Sequence, residues 1–219
     1  MNYMGSLLYK EFTLARHATV LIFPLFGLML LIPSYPYTVA FIYTCLEIFF
    51  IFLNGRENKD VLFTALLPVE KRDVVRARTL MIVIIQLFNI LISVPFALIG
   101  RNINPLGENT VGIEANAAFY AIILIMFAIF NALFLPIFYK TGYSAGRALC
   151  FAGGAASLWL IAAEVAVQLI PALKTNLDNW LAAGRPLRLA LLGAAALIYF
   201  AATLTASRRA QALFERVDL

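Results

Sequence analysis

Residues 79–100 read TLMIVIIQLFNILISVPFALIG, a run without Asp, Glu, Lys or Arg. A helix that crosses a bilayer needs about 20 consecutive apolar residues, and this stretch has that length. Five more apolar stretches lie on either side of it, marked off by charges and by Pro and Gly: Ala18 to Ile32, Tyr37 to Leu53, Ala115 to Tyr139, Ala148 to Ile170 and Leu189 to Ala206. The expected fold is therefore all-α, a polytopic membrane protein with six transmembrane helices in a single transmembrane domain over residues 1–219. Composition agrees, with 63% hydrophobic and 13% charged residues against about 45–50% and about 25% in soluble domains.

The formal net charge of +5 reports topology. A nucleic-acid site would need a basic face on a folded polar body, and six spans with short connections leave no room for one. With the N-terminus inside, all of the 17 Lys and Arg residues except Arg101, Lys174, Arg185 and Arg188 fall on the cytoplasmic side. The positive-inside rule then places both termini in the cytoplasm. The first span is short, so it is expected to begin before Ala18 with Arg16 snorkelling to the headgroups. Pro33-Ser34-Tyr35-Pro36 makes a tight hairpin to the second span and offers no small-x-small cleavage site, so the first span is expected to be retained. Cys45 and Cys150 show no metal or redox spacing and read as small apolar packing residues.

The longest polar insertion, residues 56–78, joins spans two and three on the cytoplasmic side. Val61, Leu62, Ala65 and Leu66 mark an amphipathic helix that Pro68 stops. A second short helix follows, with Glu70 and Asp73 in its first turn, and Arg76 and Arg78 anchor span three at the headgroups. Such a bent, apolar and charged element either docks in a partner's groove or lies on the bilayer surface. Met4, Leu7, Leu8, Phe12 and Ala15 share one face of an N-terminal interfacial helix, with Lys10 and Arg16 on its polar flank. In the outer loop 171–188, Leu173, Leu177, Trp180 and Leu181 repeat at helical spacing, opposite Asn176 and Asp178. Trp180 suits a membrane interface.

Arg56-Glu57-Asn58-Lys59-Asp60, then Phe63, then Leu66-Leu67-Pro68-Val69 with Lys71-Arg72-Asp73 and a basic entry to span three together resemble the small six-span permeases of bacterial type-2 ABC exporters. The resemblance implies that the loop is a coupling helix seated in a cleft of a separate ATPase. Its contacts would be Glu57, Asp60, Phe63, Leu66, Leu67, Pro68, Lys71, Arg72 and Asp73. The implied assembly has two copies of a cytoplasmic ABC ATPase and a second copy or paralogue of the permease. ATP and Mg would be held on the ATPase and no cofactor on this chain. It further implies residence in the bacterial cell membrane, an outer gate near Trp180, and a hydrophobic or amphipathic substrate, with peptide favoured.

Other chemistry is poorly supported. Gly142-Tyr143-Ser144-Ala145-Gly146 matches GxSxG, but the only histidine, His17, lies upstream and no strand pattern precedes the motif. No lysine follows a glycine, so GxxxxGK[ST] is absent, and the chain is not expected to be catalytic. Within the spans Glu47, Gln86, Asn89 and Asn131 are candidates for a translocation path, and Glu164 and Gln168 lie nearer the outside. An ionisable group in hydrocarbon should face protein or water, which leaves Glu47 open as a path residue or as a hydrogen-bonded packing residue. Gly153-Gly154 reads as a site of close helix approach. The alternative function is a small secondary transporter with Glu47 and Glu164 as ion or proton sites.

Overall fold

The structure, a computed structural model, describes residues 3–15, 19–58, 60, 69–103, 109, 111–141, 144–181 and 184–216. Among these the elements are helices: α1 (Tyr3–Lys10), a π-helical turn (Glu11–Ala15), α2 (Thr19–Ile22), a 3-10 segment (Phe23–Leu31), α3 (Thr38–Glu57), α4 (Lys71–Ile103), α5 (Ala117–Lys140), α6 (Ala145–Leu169), α7 (Pro171–Leu177) and α8 (Arg185–Glu215). Five of them, α3, α4, α5, α6 and α8, are long and apolar enough to cross a membrane. With no water in hydrocarbon to satisfy backbone groups, closed helical hydrogen bonding is what such segments require.

The stretch expected as the first span takes a different form. Four α-helical residues are followed by nine in 3-10 winding, with Pro24 at the start and Gly27 inside. A 3-10 helix rises about 2.0 Å per residue against 1.5 Å for an α-helix, so the two pieces together extend about 24 Å, short of a hydrocarbon core of about 30 Å. Close approach to α4 accompanies the winding. A Cβ at Gly100 would stand 2.5 Å from the Leu30 carbonyl oxygen, and one at Gly27 would stand 3.3 Å from the Phe96 ring. At Gly100 the approach is backbone to backbone and leaves no room for a side chain, while at Gly27 a Cβ would press on the Phe96 ring.

The helix ends also differ from the sequence boundaries. Residues 71–78 are the first two turns of α4 and not a separate short helix, because nothing between Lys71 and Thr79 breaks the helix and Asp73 pairs with Arg76 one turn on at 3.0 Å. Likewise α8 runs past the apolar stretch to Glu215.

α5 is the centre of the fold, lying against α6 and α8. Aromatic rings join it to α3: Phe52 meets Phe134 and Phe138 edge-on at 5.0 and 4.6 Å, and Phe41 meets Phe119 and Phe127 at 5.7 and 6.3 Å. Edge-to-face geometry at such distances is favourable. The side of α6 that faces inward carries Ala145, Ala148, Ala152, Ala156 and Leu160, all buried. Small residues every four positions let membrane helices pack closely. This alanine stripe makes the close contact expected of Gly153-Gly154. A Cβ at Gly154 would meet nothing within 4 Å, and one at Gly153 would meet only Leu149 of the same helix. Cys45 is buried as expected, whereas Cys150 is exposed on the outer side of α6.

Candidate functional site: a charged joint at the loop between α3 and α4

Of the expected coupling residues, Phe63, Leu66, Leu67 and Pro68 lie outside the described residues, as does His17, while Glu57, Asp60, Lys71, Arg72 and Asp73 are described. Asp60, at the entry to the loop, is buried (3% exposed), and so are Glu11 (0%) and Arg78 (5%). The Arg78 guanidinium forks between them, Nε donating to Glu11 Oε2 and Nη2 to Asp60 Oδ2. Lys10 Nζ stands 2.9 Å from Glu11 Oε1 and 3.0 Å from Asp60 Oδ1. Two cations and two carboxylates thus close a compact quartet. Arg78 also lies over the Phe52 ring at 5.2 Å, an additional cation–π contact. Gly55 leaves room for the guanidinium, since a Cβ there would come within 3.1 Å of its Nη1.

The quartet joins three parts of the chain: the N-terminal segment through Lys10 and Glu11, the loop through Asp60, and the base of α4 through Arg78. Arg78 is therefore not the headgroup anchor expected from its place in the sequence. Buried charges persist only when paired and hydrogen-bonded, and here the fixed fork of a guanidinium matches two carboxylates at once. Leu7 of α1 is buried against the protein (5% exposed).

Two more of the described coupling residues, Lys71 and Arg72, are held within the chain. Arg72 donates to both carboxylate oxygens of Glu215, tying the start of α4 to the end of α8, and Lys71 Nζ lies 5.7 Å over the Phe214 ring. Glu57 closes α3 and is exposed.

Within the spans, Glu47, Gln86, Asn89 and Asn131 are all buried in the interior of this one chain. Asn89 Nδ2 donates to Glu47 Oε2 at 2.9 Å, joining α4 to α3. Gln86 and Asn131 exchange amide hydrogen bonds at 3.0 and 2.9 Å, Tyr199 donates to Gln86 Oε1 at 2.7 Å, and Asn131 Nδ2 donates to Thr203 at 3.1 Å. This second cluster joins α4, α5 and α8. Tyr199 and Thr203 went unnoticed in the sequence because a lone Tyr or Thr in an apolar helix carries no spacing signal.

At the opposite membrane face Glu164 accepts from Thr38 at 3.0 Å and Gln168 donates to Asp178 at 3.0 Å, which ties α6 to its surroundings. Trp180 follows α7 and donates from Nε1 to Glu114 at 3.1 Å. Ser144 precedes α6, its carbonyl accepting from the Ala148 amide, and no strand precedes it among the described residues. Gly142 and Tyr143 of the GxSxG match lie outside the described residues. Among the described residues no group of three or more His, Cys, Asp or Glu could hold a metal ion.

Five helices long and apolar enough to cross a membrane, with a buried charged joint at the base of one of them, describe a multi-pass membrane protein. The family described as ABC-2 family transporter protein matches residues 6–206. The chain belongs to that family. Its role as the permease component of an ABC transporter follows, a transport subunit of the membrane that is not itself the catalyst, in a family that normally works with a cytoplasmic ATPase. No curated protein and no solved structure matches this ABC-2 permease.

Proposed function

We propose that this ABC-2 permease is half of the membrane pathway of a bacterial exporter, paired with a second copy or a related chain and driven by two copies of a separate ABC ATPase. Both termini lie in the cytoplasm in this reading, and α2 with the 3-10 segment forms a sixth, thin span beside the five long helices. Residues 57–73 dock on the ATPase, with Phe63, Leu66, Leu67 and Pro68 as its apolar contact and Glu57, Asp60, Lys71, Arg72 and Asp73 around it. ATP and Mg belong to the ATPase and supply the free energy of the cycle, and this chain binds no cofactor.

The observation that supports this most is the Lys10–Glu11–Asp60–Arg78 quartet. A loop that only lay on the bilayer would have no need of a buried ionic joint to the base of a span. Force applied to the loop reaches α4 through Asp60 and Arg78, and reaches the N-terminal segment through Glu11, so the three move as one body. The carriage of a hydrophobic or amphipathic peptide fits the apolar character of the spans. The ion-site alternative is less favoured at Glu47, which is fully buried and accepts from Asn89; Glu164 is half-buried and accepts from Thr38.

The test is the double substitution Phe63→Asp and Leu66→Asp, assayed by co-purification with the ATPase encoded beside the permease and by transport-linked ATP hydrolysis. Loss of binding or of coupled hydrolysis is expected. Unaltered coupling, or transport by the purified permease alone in liposomes, overturns the reading. A screen in which lipids or drugs stimulate hydrolysis and peptides do not overturns the substrate class while leaving the docking intact.

A further inference from the structure

Arg101, Lys174, Arg185 and Arg188 run against the bias that keeps Lys and Arg on the cytoplasmic side of a membrane. Three of the four converge. On the face opposite the loop between α3 and α4, a cavity of about 400 Å³ is walled by Leu98, Arg101, Trp180, Arg185, Arg188 and Leu189.

Among the described residues, the hydrogen-bond and ring partners of Arg188 and Arg101 at this cavity are uncharged. Arg188 is 4% exposed. Its Nη1 donates to the Asn176 carbonyl at 3.0 Å and to Asn179 Oδ1 at 2.9 Å, and its Nη2 donates to the Leu181 carbonyl. All of these acceptors are uncharged. The Arg101 guanidinium lies 4.7 Å over the Trp180 ring, again an uncharged partner. Among the described residues no ion pair includes Arg101, Arg185 or Arg188.

Two carboxylates face this region as well, each held by uncharged donors. Glu114 accepts from Trp180 Nε1 at 3.1 Å and from the Asn109 amide at 2.5 Å, and Asp178 accepts from the Glu114 amide at 2.8 Å and from Gln168 at 3.0 Å. Three arginines against two carboxylates leave a surplus of positive charge at the pocket among the described residues, and a surplus of that sign favours an anion.

Its rim narrows the class of anion. Leu98 and Leu189 are 48% and 51% exposed, and they lead from the arginines onto the apolar outer surfaces of α4 and α8. An indole, cations and exposed leucines in that order match the headgroup, the interface and the upper acyl chain of a lipid leaflet. We propose that this pocket binds the headgroup phosphate of an anionic membrane phospholipid. The exposed Arg101 and Arg185 donate to the phosphate, Arg188 is fixed by its three hydrogen bonds and supplies field, and the acyl chains run along Leu98 and Leu189. Binding of this kind needs neither the ATPase nor ATP, so it stands or falls separately from the docking of the loop.

The test uses the full chain with Trp159→Phe, which leaves Trp180 as the only remaining tryptophan of the two. It is reconstituted in nanodiscs of phosphatidylcholine containing increasing fractions of phosphatidylglycerol brominated on the upper acyl chain. Quenching of Trp180 should saturate at a far lower mole fraction for the brominated anionic lipid than for brominated phosphatidylcholine. At about fivefold per cation, Arg101→Gln or Arg185→Gln alone should raise the half-saturating fraction about fivefold, and the two together about twenty-five-fold. Both residues are exposed, so the single variants decide the matter if the double one misfolds. Lys174→Gln, outside the pocket, should leave the curve in place. Equal quenching by both lipids, an unmoved curve in the arginine variants, or an equal displacement in Lys174→Gln overturns the proposal. An arginine-dependent change of Trp180 emission on adding inorganic phosphate to discs without anionic lipid also overturns it, in favour of a soluble anion.

Discussion

Replacing Arg78 by Met tests the charged joint directly. The substitution keeps an unbranched side chain of similar reach but leaves Glu11, 0% exposed, and Asp60, 3% exposed, with Lys10 as their only cation in the quartet. Removing one partner of a buried ion pair costs about 3–5 kcal/mol, because the remaining charge stays desolvated. At about 2–4 °C per kcal/mol for a chain of this size, the melting temperature in detergent should fall on the order of 10 °C, as read by fluorescence-detected gel filtration after heating. Arg78→Lys should fall between, since one ammonium cannot fork to two carboxylates. The triple substitution Glu11→Gln, Asp60→Asn, Arg78→Met should recover part of the loss, because neutral amides tolerate burial better than unpaired carboxylates. Arg72→Ala is the control. Its pair with Glu215 has side chains 54% and 38% exposed, and such pairs contribute at most about 1 kcal/mol. If Arg78→Met melts no lower than Arg72→Ala, the quartet is not what holds the N-terminal segment, the loop and α4 together.

Glu47→Gln should melt at or above the parent temperature. Its amide keeps an acceptor for Asn89 Nδ2 and adds a donor for Asn89 Oδ1, which has no hydrogen-bond partner among the described residues; a fall of several degrees would show that the carboxylate itself is needed. Gly100→Ala places a Cβ 2.5 Å from the Leu30 carbonyl oxygen and should cost about 1–3 kcal/mol through forced separation of the backbones. Gly154→Ala meets nothing within 4 Å and should be neutral or stabilising by up to about 1 kcal/mol in the same thermal assay; if it instead weakens a permease–permease contact in chemical crosslinking, a second chain covers that face. Gln86→Leu strands the Tyr199 hydroxyl and one amide of Asn131, so a loss of about 1–3 kcal/mol is expected, and an unchanged melting temperature would mean that this cluster rearranges freely.

Residues 79–100 could be read as a span without knowing any neighbour, because lipid asks one thing of each segment, an apolar run of the right length. α3, α5, α6 and α8 were legible for the same reason. What escaped the sequence depends on pairs. The 3-10 winding of Phe23–Leu31 goes with two glycines, Gly27 and Gly100, that bring this segment against α4; composition shows only that the segment is apolar. The ends of α4 and α8 escaped because charged residues continue a helix into water as readily as they end a span, and the Arg72–Glu215 pair that fastens those ends joins distant positions. Asp60 was legible as part of a charged loop. Glu11 and Arg78 were not, since an arginine beside Arg76 at the foot of a span looks like any headgroup anchor until a carboxylate 67 positions away closes on it. The same logic separates the two ends of the molecule. The positive-inside rule accounts for basic residues one at a time, and by that measure Arg101, Arg185 and Arg188 were three unrelated exceptions. Brought to one pocket they share a single cause: folding concentrates cations that the bias would disperse, and three arginines against two carboxylates among the described residues favour an anion from outside the chain.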